Sequence, residues 1–164
     1  MVRLLPITDA AYQDYVAVSV KEYAEDHIRD GQWSPAEALE KSANELAQLL
    51  PDGVKTPNHY LFTVVDADSQ PIGMVWYMVR SRPQGTDAFI YDIRMHENAR
   101  GQGYGTATLK AVEEDATLRG ATSISLHVFG HNEGAFRLYQ RVGYRVTNIN
   151  MTKELSERGD VAPS

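Results

Sequence analysis

Apolar side chains follow two different periods along this chain. Up to about residue 50 they recur every three or four positions, which is the spacing of a helix with one buried face. From residue 59 onward, short runs of β-branched and aromatic residues alternate with polar ones, which is typical of strands. The pattern predicts a short first strand at Val2–Pro6, then two helices, then a region that forms a sheet.

Both early helices have recognisable first turns. Thr8 or Asp9 can cap the first helix, which is predicted to run to about Ile28. The tetrapeptide Ser34–Glu37 has the pattern of a capping box with proline at the first helical position. The second helix is therefore predicted to open there and to reach Leu50.

The rest of the chain predicts strands and two further helices. The predicted strands are Tyr60–Val65, Ile72–Val79, Ala88–Met95 and Thr122–Phe129, and Tyr144–Thr152 supplies one or two more. The segment Ser81–Thr86 is predicted to be a loop. One helix follows a glycine-rich stretch and ends at Arg119, and another begins at Asn132 and ends before Gly143.

Length and patterning together indicate one domain. The chain has 164 residues, and typical domains run ~100–200 residues. It contains no internal repeat and no stretch with the composition of a linker. We therefore predict a single domain over residues 1–155, followed by a polar tail at 156–164 that is predicted to be disordered.

Charge and cysteine content narrow the function classes. With 22 acidic and 16 basic residues the net charge is −6, which argues against a duplex nucleic-acid binder with a basic face. The absence of cysteine excludes disulfides and cysteine nucleophiles and fits a reducing compartment. No apolar run approaches the ~18–20 residues of a membrane span, and no signal peptide is recognisable. We expect a soluble, cytoplasmic protein with no nucleic-acid or membrane partner.

A glycine-rich stretch, Arg100–Gly105, lies between a predicted strand and a predicted helix. Backbone without side chains lets a ligand approach closely, and the first N–H groups of a helix have no internal partner, so the pattern suits a phosphate site. The dinucleotide fingerprint fails because its third glycine position holds Thr106. The nucleotide P-loop fails because Gly105 is not followed by Lys and then Ser or Thr. A flexible turn that binds nothing is the remaining alternative.

Two motifs stand in the second half of the chain. Arg100-x-x-Gly103-x-Gly105 follows a predicted strand, and His127–Tyr144 joins a strand to an Asn-initiated helix that ends in Leu-Tyr-x-x-x-Gly-aromatic. In this order and at about this spacing, the two motifs resemble those of the GNAT superfamily of N-acetyltransferases. The resemblance extends from roughly residue 3 to residue 153.

The resemblance implies a fold and an activity. The fold would be α+β with three α/β/α layers, in which about four helices flank a mixed, mostly antiparallel, twisted sheet of six or seven strands. The activity would be transfer of the acetyl group of acetyl-CoA, the co-substrate, to a primary amine by direct attack through a tetrahedral intermediate. The acceptor (a small amine, an amino sugar, a protein N-terminus or a lysine) and the oligomeric state (monomer or homodimer) are left open.

The resemblance also assigns the acetyl-CoA site residue by residue. The backbone amides of residues 102–106 would hold the pyrophosphate, with Arg100 near the entrance. The outer half of the Ala88–Met95 strand would separate from its neighbour and hydrogen-bond the pantetheine, and the Met95 amide would be the oxyanion donor. The full set of cofactor residues is Ile93, Met95, Arg100, Gly101, Gln102, Gly103, Tyr104, Gly105, Thr106 and Asn132.

Proton transfer singles out two catalytic candidates. Tyr139 matches the family's donor to the departing thiolate, although its helical face, shared with Leu138 and Val142, also suits a core aromatic. His127 is the expected base, because it occupies the strand position where some members, notably ribosomal-protein acetyltransferases, have a catalytic Glu. The alternative for His127 is a structural histidine. Asn132 also has an alternative role, as a plain N-cap of the last helix.

Weaker candidates for the base are Asp92, Tyr91, Glu97 and a water relay. Asp92 shares a strand face with Arg94 at i, i+2, which favours a structural ion pair. Tyr91 is expected to face the other way, together with Ile93. The histidines show no ligand spacing, so no metal is predicted.

Acidic residues are concentrated in the N-terminal third of the chain. Residues 1–55 hold ten acidic and five basic residues, and by the resemblance this part forms much of the acceptor side. It carries Tyr23, Trp33 and the acidic cluster of Glu22, Glu25 and Asp26, which suggests a cationic acceptor, with solvated helix faces as the alternative. A non-catalytic acyl-CoA-binding or sensor module on the same fold is a second function class, and a nucleotide-binding domain is a third.

Overall fold

The structure is a computed structural model and describes residues 1–156. Its strands are β1 (Arg3–Pro6), β2 (His59–Val65), β3 (Pro71–Arg82), β4 (Gly85–Met95) and β5 (Ser123–Leu126). Its helices are α1 (Asp9–Arg29), α2 (Ala38–Leu49), α3 (Tyr104–Leu118) and α4 (Glu133–Arg141). The described residues therefore form an α+β fold of four helices and one mixed sheet, as predicted.

The sheet is ordered β1-β2-β3-β4-β5. The first four strands are antiparallel to their neighbours, whereas β5 runs parallel to β4. A parallel pair needs a crossover connection, and α3 supplies it. Because β4 and β5 point the same way, the end of β4, the beginning of α3 and the end of β5 meet at one end of the sheet.

Helices cover both faces of the sheet. On one face, Leu109 and Val112 of α3 pack against a core that includes Tyr77 of β3. On the other face, Tyr15 of α1 packs against Trp76, the preceding residue of the same strand. Consecutive strand residues thus enter opposite cores, as the pleat requires, and the predicted three-layer arrangement is confirmed.

The prediction for the start of α2 is wrong. The helix begins at Ala38, not at Pro35, and residues 35–37 form a turn. The Ser34 hydroxyl donates a hydrogen bond of 2.6 Å to the Glu37 carboxylate, which also binds Lys41. Since both side chains of the expected capping box are occupied with other side chains, neither caps a backbone amide.

The predicted loop at Ser81–Thr86 is also wrong. The register pairs Arg82 with Gly85, so β3 and β4 continue as a hairpin and only two residues turn between them. The Asp87 carboxylate lies 3.0 Å from the Arg80 guanidinium and 2.9 Å from that of Arg82. These ion pairs across the two strands hold the end of the hairpin together.

The sheet is smaller than the six or seven strands predicted. The strand expected at Thr122–Phe129 ends at Leu126, because pairing with β4 stops at Ile90. No strand forms over Tyr144–Thr152, whose backbone pairs with no other strand among the described residues. The described sheet therefore has five strands.

Two other expectations concern the whole chain. Among residues 1–156, no helix is both long enough and apolar enough to cross a membrane. The expected disordered tail at 156–164 lies, apart from its first residue, outside the described residues. The single domain over residues 1–155 stays a prediction.

His59 gives the fold a pH dependence that can be measured. Its Nδ1 accepts a hydrogen bond of 3.0 Å from the Trp76 indole N–H, and burial lowers the pKa of His59 below its usual value. The unfolded chain therefore binds a proton at higher pH than the folded chain does. This contribution to stability is full above the unfolded pKa of ~6.5 and is lost as pH falls towards the lower folded pKa.

We expect urea unfolding free energies to fall between pH 7.5 and pH 5, and to fall less steeply in His59→Gln. The glutamine oxygen can accept the indole hydrogen bond and does not titrate. Identical pH slopes for the two proteins would show that His59 does not cause the dependence.

Candidate functional site

The glycine-rich turn has the backbone that its sequence predicts. Gly101 and Gly103 adopt φ angles of +75° and +81°, which residues with a Cβ rarely tolerate, and the space beyond both is open. Gly103 is the N-cap of α3. Gly105 has a different role, because a Cβ there would lie 3.1 Å from Leu138 Cδ2 of α4. The third glycine therefore lets α3 and α4 approach closely.

The turn also presents unpaired backbone amides. Within the described residues, the N–H groups of residues 101–106 donate no hydrogen bond. Two side chains brace the turn from outside: Arg100 Nε donates to the Met95 carbonyl (3.3 Å), and Gln102 Nε2 to the Asn98 carbonyl (2.9 Å). The amides lie at the positive end of the α3 dipole, so the turn is built to receive an anion.

The end of β4 has one unpaired edge. His96 N–H donates to the Ile72 carbonyl at 2.8 Å, and in an antiparallel ladder hydrogen-bonded and non-hydrogen-bonded pairs alternate. In this alternation Met95 and Ile93 form no backbone hydrogen bonds with β3. Their amides and carbonyls therefore point towards the side on which β5 lies. Since β5 pairs with β4 only as far as Ile90, a gap follows between the two strands. No strand covers these groups, and among them the Met95 carbonyl accepts from Arg100 Nε.

A β-bulge produces this gap. Trp76 pairs with Asp92 and Tyr77 with Ile90, so Tyr91 is an extra residue on β4. The bulge also changes which way side chains point. Tyr91 stacks on Trp76 with ring centroids 4.5 Å apart, in the core under α1, whereas Ile93 packs in the core under α3. The expected shared face of Tyr91 and Ile93 is therefore wrong.

Tyr139 lies on α4 and packs partly buried against the same core as Met95. Burial, with a smaller contribution from the Asp92 carboxylate, raises the pKa of Tyr139 to about 12. The phenol is therefore protonated throughout the physiological range and is a hydrogen-bond donor. Asn132, two turns earlier, caps α4 by accepting from the Ala135 amide at 3.4 Å.

Asp92 stands in a network that joins β4 to α1. Its Oδ2 accepts hydrogen bonds from the Tyr15 hydroxyl (2.8 Å) and from Arg94 Nε (2.9 Å), so the predicted ion pair of Asp92 with Arg94 is confirmed. Arg94 also binds Glu22 of α1. Burial, followed by the nearby Asp92 charge, raises the pKa of Tyr15 well above its ordinary value, so Tyr15 stays a donor.

The other base candidates are exposed. His127 is the first residue beyond β5, at the mouth of the gap, and its ring meets the edge of Phe129 at 5.0 Å. Glu97 lies in a short 3-10 turn before the glycine-rich stretch. Neither side chain hydrogen-bonds within the described residues.

The structure contains an aromatic cluster beside the gap that the sequence analysis did not predict. Phe129 lies between the rings of His27 (5.3 Å) and His131 (5.4 Å), and His27 stacks on Trp33 at 4.0 Å. His131 Nε2 lies 3.1 Å from the Asp26 carboxylate of α1. The contacts of Phe129 with His27 and of His131 with Asp26 join residues about 100 positions apart, so no local sequence pattern predicts them.

Other candidate sites are less suited to chemistry. A cavity of about 560 Å³ opens at the opposite end of the sheet, where Arg80 and Arg119 contribute to its lining. Both arginines are paired, with Asp87 and Asp115 respectively, so neither offers an uncompensated charge. Among residues 1–156, no group of three or more His, Asp or Glu stands close enough for a metal, and the expectation of no metal stays a prediction.

The glycine turn, the open edge of β4 and α4 all fall within a match to a known family. The model of the Acetyltransferase (GNAT) family matches residues 20–144. The chain belongs to the GNAT acetyltransferase family. It is accordingly an acyltransferase.

Two similar GNAT proteins come from Bacillus subtilis (strain 168), and both are named uncharacterized N-acetyltransferases. YycN is 33% identical over 154 residues, which is 94% of this chain and 99% of YycN. YdgE is 34% identical over 149 residues, which is 91% of this chain and 95% of YdgE. The crystal structure of YycN superposes with a TM-score of 0.91, covering 96% of this chain and 100% of that one. The GNAT fold is thus shared over nearly the whole described chain.

Proposed function

We propose that this protein acetylates a primary amine, with acetyl-CoA as the donor and direct attack of the amine on the thioester. One observation carries the proposal. The free amides of residues 101–106 and the unpaired edge of β4 lie at the same end of the sheet, and Met95, Tyr104 and Tyr139 pack on the same core.

The chemical groups at this end of the sheet suit acetyl-CoA. Its pyrophosphate suits the amides from Gly101 to Thr106, with Arg100 at the rim. Its pantetheine carries amide groups that can pair with the outward-facing backbone of Ile93 and Met95 in the manner of an added strand. The Met95 amide then points to the thioester carbonyl as an oxyanion donor, a contact type that contributes about 2.7–4 kcal/mol.

Tyr139 supplies a hydrogen bond to the departing sulfur. A thiol has an ordinary pKa of ~8.5, whereas the pKa of Tyr139 is about 12, so complete proton transfer from the phenol to the thiolate is unfavourable. Tyr139 therefore stabilises the developing thiolate charge, and the proton that the sulfur finally holds comes from the attacking amine. The overall reaction is therefore balanced, because a neutral amine and acetyl-CoA give an N-acetyl amide and the CoA thiol.

We keep His127 as the proposed base. It stands at the mouth of the gap between β4 and β5, and its imidazole is exposed and unbonded within the described residues, so it can pass a proton to solvent. Asp92 is less suited, because its Oδ2 already accepts from both Tyr15 and Arg94.

The acceptor is proposed to enter on the α1 side of the gap. Two of the three acidic residues expected to attract a cation are engaged, Glu22 with Arg94 and Asp26 with His131, which leaves Glu25. The acidic face therefore attracts a cationic amine less strongly than its sequence suggests. The reaction is proposed to occur in the cytoplasm.

An amine panel tests the proposal. Thiol release from acetyl-CoA is followed with a thiol reagent, and since the chain has no cysteine, only CoA reacts. We expect a polyamine, an amino sugar, a lysine peptide or a free peptide N-terminus to raise release well above the amine-free rate. Binding of acetyl-CoA without release for any class would contradict a transferase and favour a CoA-binding module.

A further inference from the structure

The loop that carries His127 has little backbone support of its own. Residues 127–131 lie between the end of β5 and Asn132, the N-cap of α4. Among the described residues their backbone makes a single hydrogen bond, in which the Phe129 carbonyl accepts from the Asn132 amide at 2.9 Å. Pairing with β4 has already stopped at Leu126. The position of the loop therefore depends on contacts made by its side chains.

Phe129 is the residue through which the loop reaches α1. Its ring meets the His27 ring nearly at a right angle, with the centroids 5.3 Å apart. The ring of His127 also meets Phe129 nearly at a right angle, at 5.0 Å. Edge-to-face contacts of this kind are favourable and have a preferred geometry. One phenylalanine ring thus contacts both the proposed base and the helix.

His27 offers Phe129 a fixed surface to pack on. The imidazole is 8% exposed and stacks on the Trp33 ring at 4.0 Å. Its Nδ1 lies 2.7 Å from Gln32 Oε1. Because Gln32 Nε2 donates to the Asp30 carboxylate at 2.8 Å, the amide oxygen is the atom that faces His27, and Nδ1 is assigned the proton. The His27 ring is therefore held at one edge and on one face.

A second contact ties the same loop to α1. His131 Nε2 lies 3.1 Å from the carboxylate of Asp26, the residue before His27. The rings of His131 and Phe129 stack with their centroids 5.4 Å apart. Two neighbouring residues of α1 thus hold two neighbouring side chains of the loop.

The helix is itself fixed to β4. Glu22, one turn before Asp26, binds Arg94, and the Tyr15 hydroxyl donates to the Asp92 carboxylate at 2.8 Å. Helix α1 therefore reaches from the end of β4 to the loop that follows β5. It connects the two sides of the gap where no strand does.

We propose that Phe129 and Asp26 are positioning residues, which dock this loop on α1 and thereby hold His127 at the mouth of the gap. The inference rests on the proposed function, in which His127 is the base. Neither residue takes a step in the reaction, and both act through the loop. Their support matters because misplacement of a reacting group by ~1 Å can cost ~10²-fold in rate.

NMR of the histidine rings in the full chain tests the docking without acetyl-CoA. The His127 signals are identified by their loss in His127→Gln, and Phe129→Leu shows where they lie without the ring current of Phe129. We expect Asp26→Ala to move them towards their position in Phe129→Leu, although Asp26 contacts His131 and not His127. Glu25→Ala is the matched control, because it removes the same charge from the adjacent exposed residue, and it should leave the signals in place. Alanine suits the helix at both positions.

Steady-state kinetics with the best acceptor amine supply the second measurement. We expect Asp26→Ala to lower kcat by about 10-fold, as a partial misplacement of the base would. The dissociation constant of acetyl-CoA should stay unchanged, because the glycine-rich turn is untouched. Asp26→Asn keeps an oxygen that can accept from His131 Nε2–H, so it should recover most of the rate.

The two measurements separate this inference from the proposed function. Identical His127 signals in Asp26→Ala and Glu25→Ala would overturn the positioning role, whether or not the protein turns over any amine. An equal loss of kcat in these two variants would also overturn it, since charge alone would then explain the effect. Displaced His127 signals with wild-type kcat would support the docking and contradict the role of His127 as the base.

Discussion

Replacing Tyr139 with phenylalanine is expected to lower kcat by about 10²–10³-fold, the range for loss of one hydrogen-bond donor to a developing negative charge. The substitution removes the hydroxyl that is proposed to donate to the thiolate, and it keeps the ring that packs in the core. Acetyl-CoA affinity should change little, because the proposed pyrophosphate and pantetheine contacts are mostly made by backbone. The measurement is steady-state kinetics with the best acceptor amine, together with calorimetric titration of acetyl-CoA.

Tyr144→Phe is the matched control for this substitution. Tyr144 lies beside Tyr139, with ring centroids 5.9 Å apart, and burial likewise raises its pKa. We place its hydroxyl in no step of the reaction, so its loss should leave kcat within about threefold of the wild type. If both variants keep wild-type kcat, Tyr139 is a core aromatic and the proposed mechanism is wrong.

Gly103→Val is expected to weaken acetyl-CoA binding by about 100-fold or more. A β-branched side chain at φ +81° strains the backbone, and it projects into the space where the pyrophosphate is proposed to lie. Loss of two charge-assisted hydrogen bonds, at ~1.5–3 kcal/mol each, accounts for that magnitude. Calorimetric titration gives the dissociation constant.

Gly31→Val separates the ligand effect from the backbone strain. Gly31 has a φ of +77° and equally open surroundings, but it lies after α1 and far along the chain from the turn. Both variants should lose comparable stability on heating, and only the change at Gly103 should affect acetyl-CoA. Equal affinities in the two variants would show that the turn does not hold the pyrophosphate.

Much of the fold and the backbone of the glycine-rich turn could be predicted because the signals are local. The glycines at 101 and 103 are themselves the sign that the backbone there adopts positive φ angles. Asn132 lies directly before the helix that it caps. The change from helical to strand period identifies the layers without any long-range information. Such features depend only on a residue and its neighbours in the chain, so a single sequence is enough to predict them.

What could not be predicted depends on contacts between distant residues. The bulge at Tyr91 reverses the alternation of β4, and it follows from pairing with β3 rather than from any residue type. The hydrogen bond from Tyr15 to Asp92 joins residues 77 positions apart. The capping box at Ser34 failed for a related reason, because side chains that can cap a helix can also bind each other.

The missing strands illustrate a third limit. The sequence of residues 144–152 predicts strand, but the backbone of that segment pairs with no strand among the described residues. Strand composition shows that a segment suits a sheet and does not show which edge it joins.

Calorimetric titration of the wild-type protein with acetyl-CoA tests the central claim most directly. We predict one saturable site per chain, displaced by CoA and not by ATP, and retained in Tyr139→Phe but strongly weakened in Gly103→Val. No saturable heat at millimolar acetyl-CoA, or competition by ATP instead of CoA, would contradict the assignment of this gap as the acetyl-CoA site.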